Sequence, residues 1–325
     1  MNSMKILKTI LFINLFCIFL TVNLYSQTVS RNECFPFEKL TLEERKKAEE
    51  LLLKALDGEA LYTIVGGLKP MSSGFQSFRL RVDLPRIELA EAEKINTELG
   101  AKKAEELTTA EKSRLTQAKQ TIERKQTLEK ISEVQKIFET WRCGEELFTG
   151  VQHYAQVFEG QRFYDTVVFS RPRLKQMLTE KIDFFSRIGI TPDSHPLDVL
   201  YAVEYNRNSQ RFAGYGYLFG YPDYAVRFFV QASDDEQFTG KFVERGFITL
   251  PTIKGDNHFV YAVPKNHVEN ETDRVLRAKA EKIFNEYKRR REEFIGDGKK
   301  GVVELLRNWF CDTNGKCALS NAQFN

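Results

Sequence analysis

Histidine is scarce in this sequence, with four residues in 325. None of them (His153, His195, His258, His267) stands at metal-ligand spacing from another His, Cys or acid. There is no His-Glu-x-x-His, which would put two ligands and a general base on one helix face, and no Cys-x-x-Cys. A Gly-x-Ser-x-Gly elbow is missing as well; the nearest approach, Met71-Ser-Ser-Gly74, lacks its first glycine. Asp312-Thr-Asn314 begins like a calcium loop, but Lys316 falls on the next ligand position and no glutamate closes it. An excess of charge of one sign is also lacking, with 48 Lys and Arg against 45 Asp and Glu. Binding nucleic acid regardless of sequence needs a concentrated basic face that releases counterions, so nucleic acid is not expected as a partner. Adsorption to anionic lipid by charge alone is disfavoured for the same reason. These absences leave no cofactor and no metal to predict, and they weigh against catalysis. Among so many carboxylates no acid–base pair stands out.

Long apolar runs are absent after residue 22, so no transmembrane helix is expected once an N-terminal signal is removed. Lys5 and Lys8 precede the apolar run Ile10 to Val22, and a more polar exit, Asn23 to Gln27, offers Ser26 as a small cleavage residue. This is the layout of a secretory signal peptide over residues 1–26, with an uncleaved N-terminal anchor as the runner-up. Bulky Leu15 and Phe16 argue against lipidation of Cys17. The expected product is exported, periplasmic or secreted, and consists of residues 27–325, long enough for a sizeable core.

Loss of Cys17 would leave Cys34, Cys143, Cys311 and Cys317, and an even number in an exported protein suggests disulfides. Cys311 and Cys317 bracket the turn signal Asn314-Gly315, which makes a local bridge the first choice and leaves Cys34 for Cys143. Sequence does not fix connectivity, and four free thiols stay open as the alternative. A nucleophilic cysteine would need a free, low-pKa thiol, a poor prior in an oxidising compartment.

Capping boxes at Thr41-Leu-Glu-Glu44 and Thr108-Thr-Ala-Glu111 open two helices. The first should run to Asp57 on an apolar face of Leu52, Ala55 and Leu56, with a short helix from Ala60 to Val65 after it. Gly66 to Gly74 should be irregular. Phe78 to Leu84 alternates apolar and charged residues, which predicts a strand with one wet face, ended by Pro85. From Ile87 to Trp141 the composition turns to Glu, Lys, Ala and Gln, with Gly100 the only glycine. That predicts an antiparallel helical hairpin at 87–141. Leu128, Ile131, Val134, Phe138 and Trp141 form its inner stripe, and Leu107, Leu115, Ala118 and Ile122 a thinner one.

Phe163 to Phe169 reads as a strand, Pro172 opens a helix, and Ser194 and Pro196 open another. Phe242 to Leu250 and Phe259 to Val263 form a hairpin. Asn270 caps a charged helix to Phe294, with Val275, Ala278 (or Lys279), Ile283 and Tyr287 inside. Its Lys288-Arg-Arg-Arg291 cluster suits the helix dipole without any nucleic acid. Val302 to Phe310 is the last helix. The fold class is a helix-rich α+β domain over residues 27–325, with a small antiparallel or mixed sheet covered by helices.

The densest run of aromatic residues and glycine is Tyr201 to Gln231, expected as two helical pieces joined at Gly220-Tyr221-Pro222. Gly214-Tyr-Gly216-Tyr-Leu-Phe-Gly220 misses the spacing of a dinucleotide loop and lacks the strand before it. Gly216 and Gly220, four apart, instead allow close packing. Tyr217, Tyr221 and Tyr224 share a face, with Tyr215 and Phe219 on another. Such side chains line a pocket for a sugar, peptide or small ring, or simply fill a core. Arg227 either pairs with Asp223, one turn earlier, or reaches an anionic ligand, and the pairing is the default.

Val65-Gly-Gly-Leu-Lys-Pro70 and, later, Leu218-Phe-Gly-Tyr-Pro222 followed by a helix at Asp223 to Phe229 resemble, in the same order, an uncharacterised bacterial family known as a domain of unknown function. The members of that family typically lack a signal peptide and the long charged hairpin. The resemblance covers a handful of residues and implies a shared fold; it assigns no catalytic residue.

The leading expectation is therefore an exported, non-catalytic binding or envelope-associated protein. Its candidate ligand wall is Tyr215, Tyr217, Phe219, Tyr221, Tyr224 and Arg227. A secreted hydrolase acting on an envelope or extracellular polymer is the first alternative. The second is a structural protein that meets a protein partner through the 87–141 hairpin.

Overall fold

The computed structural model describes residues 28–83, 87–253 and 259–322; the expected signal at 1–26 lies outside them. The first half of the chain forms β1 (Val29–Ser30), α1 (Leu42–Asp57), α2 (Leu61–Ile64), β2 (Met71–Arg81), α3 (Leu89–Gly100), α4 (Thr109–Phe138), β3 (Leu147–Phe158) and β4 (Gln161–Ser170). Helices follow: α5 (Arg171–Glu180), α6 (Ile182–Phe185), α7 (Pro196–Glu204), α8 (Asn208–Leu218) and α9 (Asp223–Thr239). The chain then forms β5 (Arg245–Leu250), β6 (Phe259–Pro264), α10 (Glu271–Phe294), α11 (Val302–Phe310) and β7 (Lys316–Cys317). The fold is helix-rich α+β. Among the described strands every pairing is antiparallel: a three-stranded sheet in the order β2-β4-β3, a β5–β6 ribbon and a short β1–β7 pair.

Local sequence explains most boundaries. Thr41 and Thr108 each accept the amide of a glutamate three residues on, and each glutamate accepts back from the cap amide, so orphan donors are satisfied at both helix starts. The charged segment folds as the expected hairpin, with Ala92, Ile95 and Ala118 buried between α3 and α4. Ile131, Val134, Ile137 and Phe138 of α4 are buried in the main core, but Leu128 is 45% exposed, because the helix leaves the body before that turn.

Other expectations need correcting. β2 begins at Met71, inside the segment expected to be irregular, because buried Ser72 bonds Thr63 Oγ1 at 2.8 Å and the Glu59 carbonyl at 3.3 Å. β3 was not expected at all; it pairs with β4 through a turn in which Glu159 and Gly160 both have positive φ. The aromatic stretch is broken twice and not once, since α7 ends at Glu204 and α8 starts at Asn208 before the break at Gly220. On α10, Ala280 and Asp273 are buried with Ile283 and Tyr287, whereas Val275 and Ala278 are exposed. The basic cluster near its C-terminal end is engaged internally: Arg291 bonds buried Asp57 at 2.7 Å, and Arg290 bonds Glu286 and Asn308.

Both cysteine pairs, Cys34 with Cys143 and Cys311 with Cys317, lie at disulfide distance. The sulfurs of Cys34, Cys311 and Cys317 are within 4.8 Å of one another, so the two bridges adjoin. Buried Arg307 anchors the same corner, donating to the carbonyls of Cys34 at 2.9 Å and Phe35 at 3.0 Å and pairing with Glu38. A main core joins α1, α2, the end of α4, the β5–β6 ribbon, α10 and α11; a second lies under α5 to α8. Tyr221 and Tyr224 pack on the first, and Tyr215, Tyr217 and Phe219 on the second. The aromatic stretch is the seam between them. No helix among the described residues is long and apolar enough to cross a membrane.

Candidate functional site

Three glycines set the geometry of the seam. A Cβ on Gly214 would meet Val203 of α7 at 2.6 Å, and one on Gly216 would meet Val226 of α9 at 2.7 Å. Only a hydrogen at these positions lets α8 approach both neighbours. Gly220 has φ +73° and lies against backbone, so that a Cβ on it would meet the Leu68 carbonyl oxygen at 3.0 Å. The segments Val65–Pro70 and Leu218–Pro222 therefore touch.

Beside this contact opens a cleft of about 800 Å³, bounded by Gly67 and Leu68, by α5, by Tyr217 to Arg227 and by the first turns of α10. Four of the six predicted wall residues line it: Tyr217, Tyr221, Tyr224 and Arg227. Tyr215 and Phe219 do not. They stack on each other with centroids 5.8 Å apart and, with Tyr221, line a smaller apolar cavity of about 310 Å³ between α8, α9 and the β5–β6 ribbon. The two faces proposed for the aromatics thus open on two different cavities, and Tyr221 borders both.

The tyrosines differ in how firmly their hydroxyls are held. Tyr215 donates to buried Glu204 at 2.6 Å, and that carboxylate also accepts from Arg211 at 2.9 Å and from the Ala155 amide at 2.8 Å. Burial pushes the Tyr215 hydroxyl far up, and the bond to Glu204 adds to it. Tyr224 donates to Asp273, which also accepts from Tyr261 at 2.8 Å and contacts His267 Nε2 at 2.7 Å. Tyr217 and Tyr221 have no hydrogen-bond partner for their hydroxyls among the described residues. Burial raises both, helped by Asp223 at Tyr217 and by Glu59 at Tyr221.

The default pairing of Arg227 with Asp223 is not made. Asp223 is held by Lys181 of the next layer at 2.6 Å, and Lys181 also lies over the Tyr217 ring. Arg227 makes no ion pair among the described residues.

Two residues behind the site were not foreseen. Lys69 is fully buried, bonded to Glu59 and flanked by the rings of Phe259 at 4.6 Å and Phe219 at 5.2 Å. Burial pulls its ammonium pKa down, against the opposing effect of Glu59. A lysine in a glycine-rich loop reads as solvated, so no local signal marks it. Asp273 is also buried; the signal for it was there, because Asn270-Glu-Thr-Asp273 is a capping sequence and its box closes here.

Of the other histidines, His153 contacts Tyr201 at 3.1 Å, His195 caps α7, and His258 lies outside the described residues. Among the described residues the one group at metal-binding distance is the set of cysteine sulfurs already joined as disulfides. Comparison of the chain with protein-family models, with curated proteins and with solved structures finds no match in any of the three.

Proposed function

We propose that this is an exported, non-catalytic binding protein of the cell envelope, with its ligand held in the cleft against Tyr217, Tyr221 and Tyr224. The observation that carries this reading is the cleft itself: three tyrosines, one of them Tyr217 with an unbonded hydroxyl, and an arginine without an ion pair among the described residues line one open space. Its volume lies in the range of ligand pockets, and a flat apolar wall with a few polar tips is what holds a ring in place. Export is supported by the two disulfides.

A hydrolase is less well supported. Each carboxylate of the cleft has its own cation: Glu180 with Arg173, Asp223 with Lys181 and Glu271 with Arg274. An acid–base pair would need one of them protonated. The structural-partner reading is weaker still. The apolar stripe of the hairpin is covered by the hairpin itself, with Leu107 and Ala118 buried and Leu115 and Ile122 half-buried.

A thermal-shift screen of the exported protein against sugars, peptidoglycan fragments, peptides and nucleotides tests the reading, since a ligand of the native state raises its midpoint by mass action. Tyr217→Ala should weaken any hit while the circular dichroism spectrum and melting stay intact. A hit that binds Tyr217→Ala and the parent equally would move the site away from this cleft.

A further inference from the structure

The cleft has more donors than the protein has acceptors for them. Arg227 of α9 and Lys279 of α10 both line it, both are exposed, and neither has an ion-pair or hydrogen-bond partner among the described residues. The remaining charges cancel locally, Arg173 with Glu180 at 3.6 Å and Lys181 with Asp223 at 2.6 Å, while Glu271 is taken by Arg274 at 2.9 Å. Two positive charges on two different helices are left over. Tyr217 is half-buried with its hydroxyl unbonded, and it lines the same cleft as Arg227 and Lys279, with Lys181 over its ring and bonded to Asp223. A carboxylate lacks donors and offers only acceptors, as does a phosphate, so either would satisfy this set.

We infer that the ligand of the cleft carries an anionic group, a carboxylate or a phosphate, held by Arg227 and Lys279 with the Tyr217 hydroxyl as a neutral donor. The inference rests on the cleft being the binding site. A guanidinium presents two parallel N–H groups to such an anion, and an ammonium adds a point charge without directional demand. An anionic group alone is far smaller than about 800 Å³. The anion is therefore one end of a larger molecule whose ring lies against Tyr221 and Tyr224.

Three probes with one ring and different substituents separate the possibilities: glucuronate, glucose 6-phosphate and glucose. Calorimetric titration of the exported protein should show at least one of the two anions binding tenfold or more tightly than glucose. The sugar acid and the sugar phosphate distinguish carboxylate from phosphate as the source of charge. Arg227→Gln and Lys279→Gln should each remove most of that advantage, and added salt should reduce it. Both residues are exposed, so folding is expected to survive, and melting curves check it. Lys241→Gln, an exposed cation outside the cleft, should change nothing. Equal affinity for the three probes, lost in Tyr217→Ala, would discard the anion and keep the cleft. Anion binding indifferent to Arg227→Gln and Lys279→Gln would overturn the inference, as would failure of both anions to bind where glucose does.

Discussion

Gly220 rests on the backbone of Lys69: a methyl group built on it would lie 3.2 Å from Lys69 Cα and 3.0 Å from the Leu68 carbonyl oxygen. The contact fixes the start of α9 against the loop between α2 and β2, and with it two walls of the cleft. Two penalties meet here, because the residue has φ +73° and because backbone cannot move aside as a side-chain tip can. Gly220→Ala should therefore cost about 2–4 kcal/mol in urea unfolding. Gly74→Ala is the control, with φ +80° and open space around it, and should cost only about 1–2 kcal/mol. Equal losses at the two sites would mean that backbone conformation is the whole effect and the close contact contributes nothing.

Behind that contact the Lys69–Glu59 pair holds the same loop from inside. Desolvating two charges is expensive, so the pair as a whole stabilises little, yet removing one member strands the other. Lys69→Met alone should lose about 3–5 kcal/mol. Adding Glu59→Leu to it should recover most of the loss. A double variant as unstable as Lys69→Met would show that the lysine matters through the rings of Phe219 and Phe259 and not through its charge.

How far this was readable beforehand depended on whether the pattern was local. The caps at Thr41 and Thr108 and the break at Gly220 rest on neighbouring residues, and all appear where expected. The expected shared face of Tyr217, Tyr221 and Tyr224 is not the face of one helix: Tyr217 is on α8, Tyr221 lies in the break and Tyr224 is on α9. β3 was illegible because it is half-covered on both sides, with only Leu147 and Gln152 fully buried, so it shows no alternation. The Asp223–Arg227 pairing failed because Lys181, at the junction of α5 and α6 and far off in sequence, is the partner. Lys69 failed for the same reason: its burial comes from Phe219 and Phe259, which no window around residue 69 contains.

The disulfides predict a graded loss. Cys34–Cys143 closes a separation of 109 residues and Cys311–Cys317 one of 6. Loop-closure entropy makes the first worth about 4–5 kcal/mol and the second nearer 2. Paired serine variants, Cys34→Ser with Cys143→Ser and Cys311→Ser with Cys317→Ser, unfolded in urea without reductant, should rank in that order. The reverse order would assign the stabilisation to packing at the corner of Arg307 instead of to the unfolded chain.

Asp273 couples stability to the cleft wall. It is buried at the start of α10, and burial on its own would raise its carboxyl. Bonds from Tyr224, His267, the Asn270 amide at 3.0 Å and Tyr261 outweigh that, and the group is held below the usual carboxylate range. A carboxyl whose folded value is depressed contributes its stability in full above the unfolded value, about 3.9. That contribution is lost as the pH falls through the folded value. Asp273→Asn should therefore cost about 2–3 kcal/mol at pH 7, the range for hydrogen bonds to a charged group. The gap between variant and parent should then narrow below about pH 4. Urea midpoints at pH 7, 5, 4 and 3 measure it, and a constant gap down to pH 3 would show that the charge of the carboxylate is not what stabilises. Because the Tyr224 hydroxyl is held by Asp273 and His267, the same variant should also loosen its ring at the cleft. Any ligand that stacks there should then bind more weakly at pH 7, by an amount that Tyr224→Phe, which loses the bond and keeps the ring, reproduces in part.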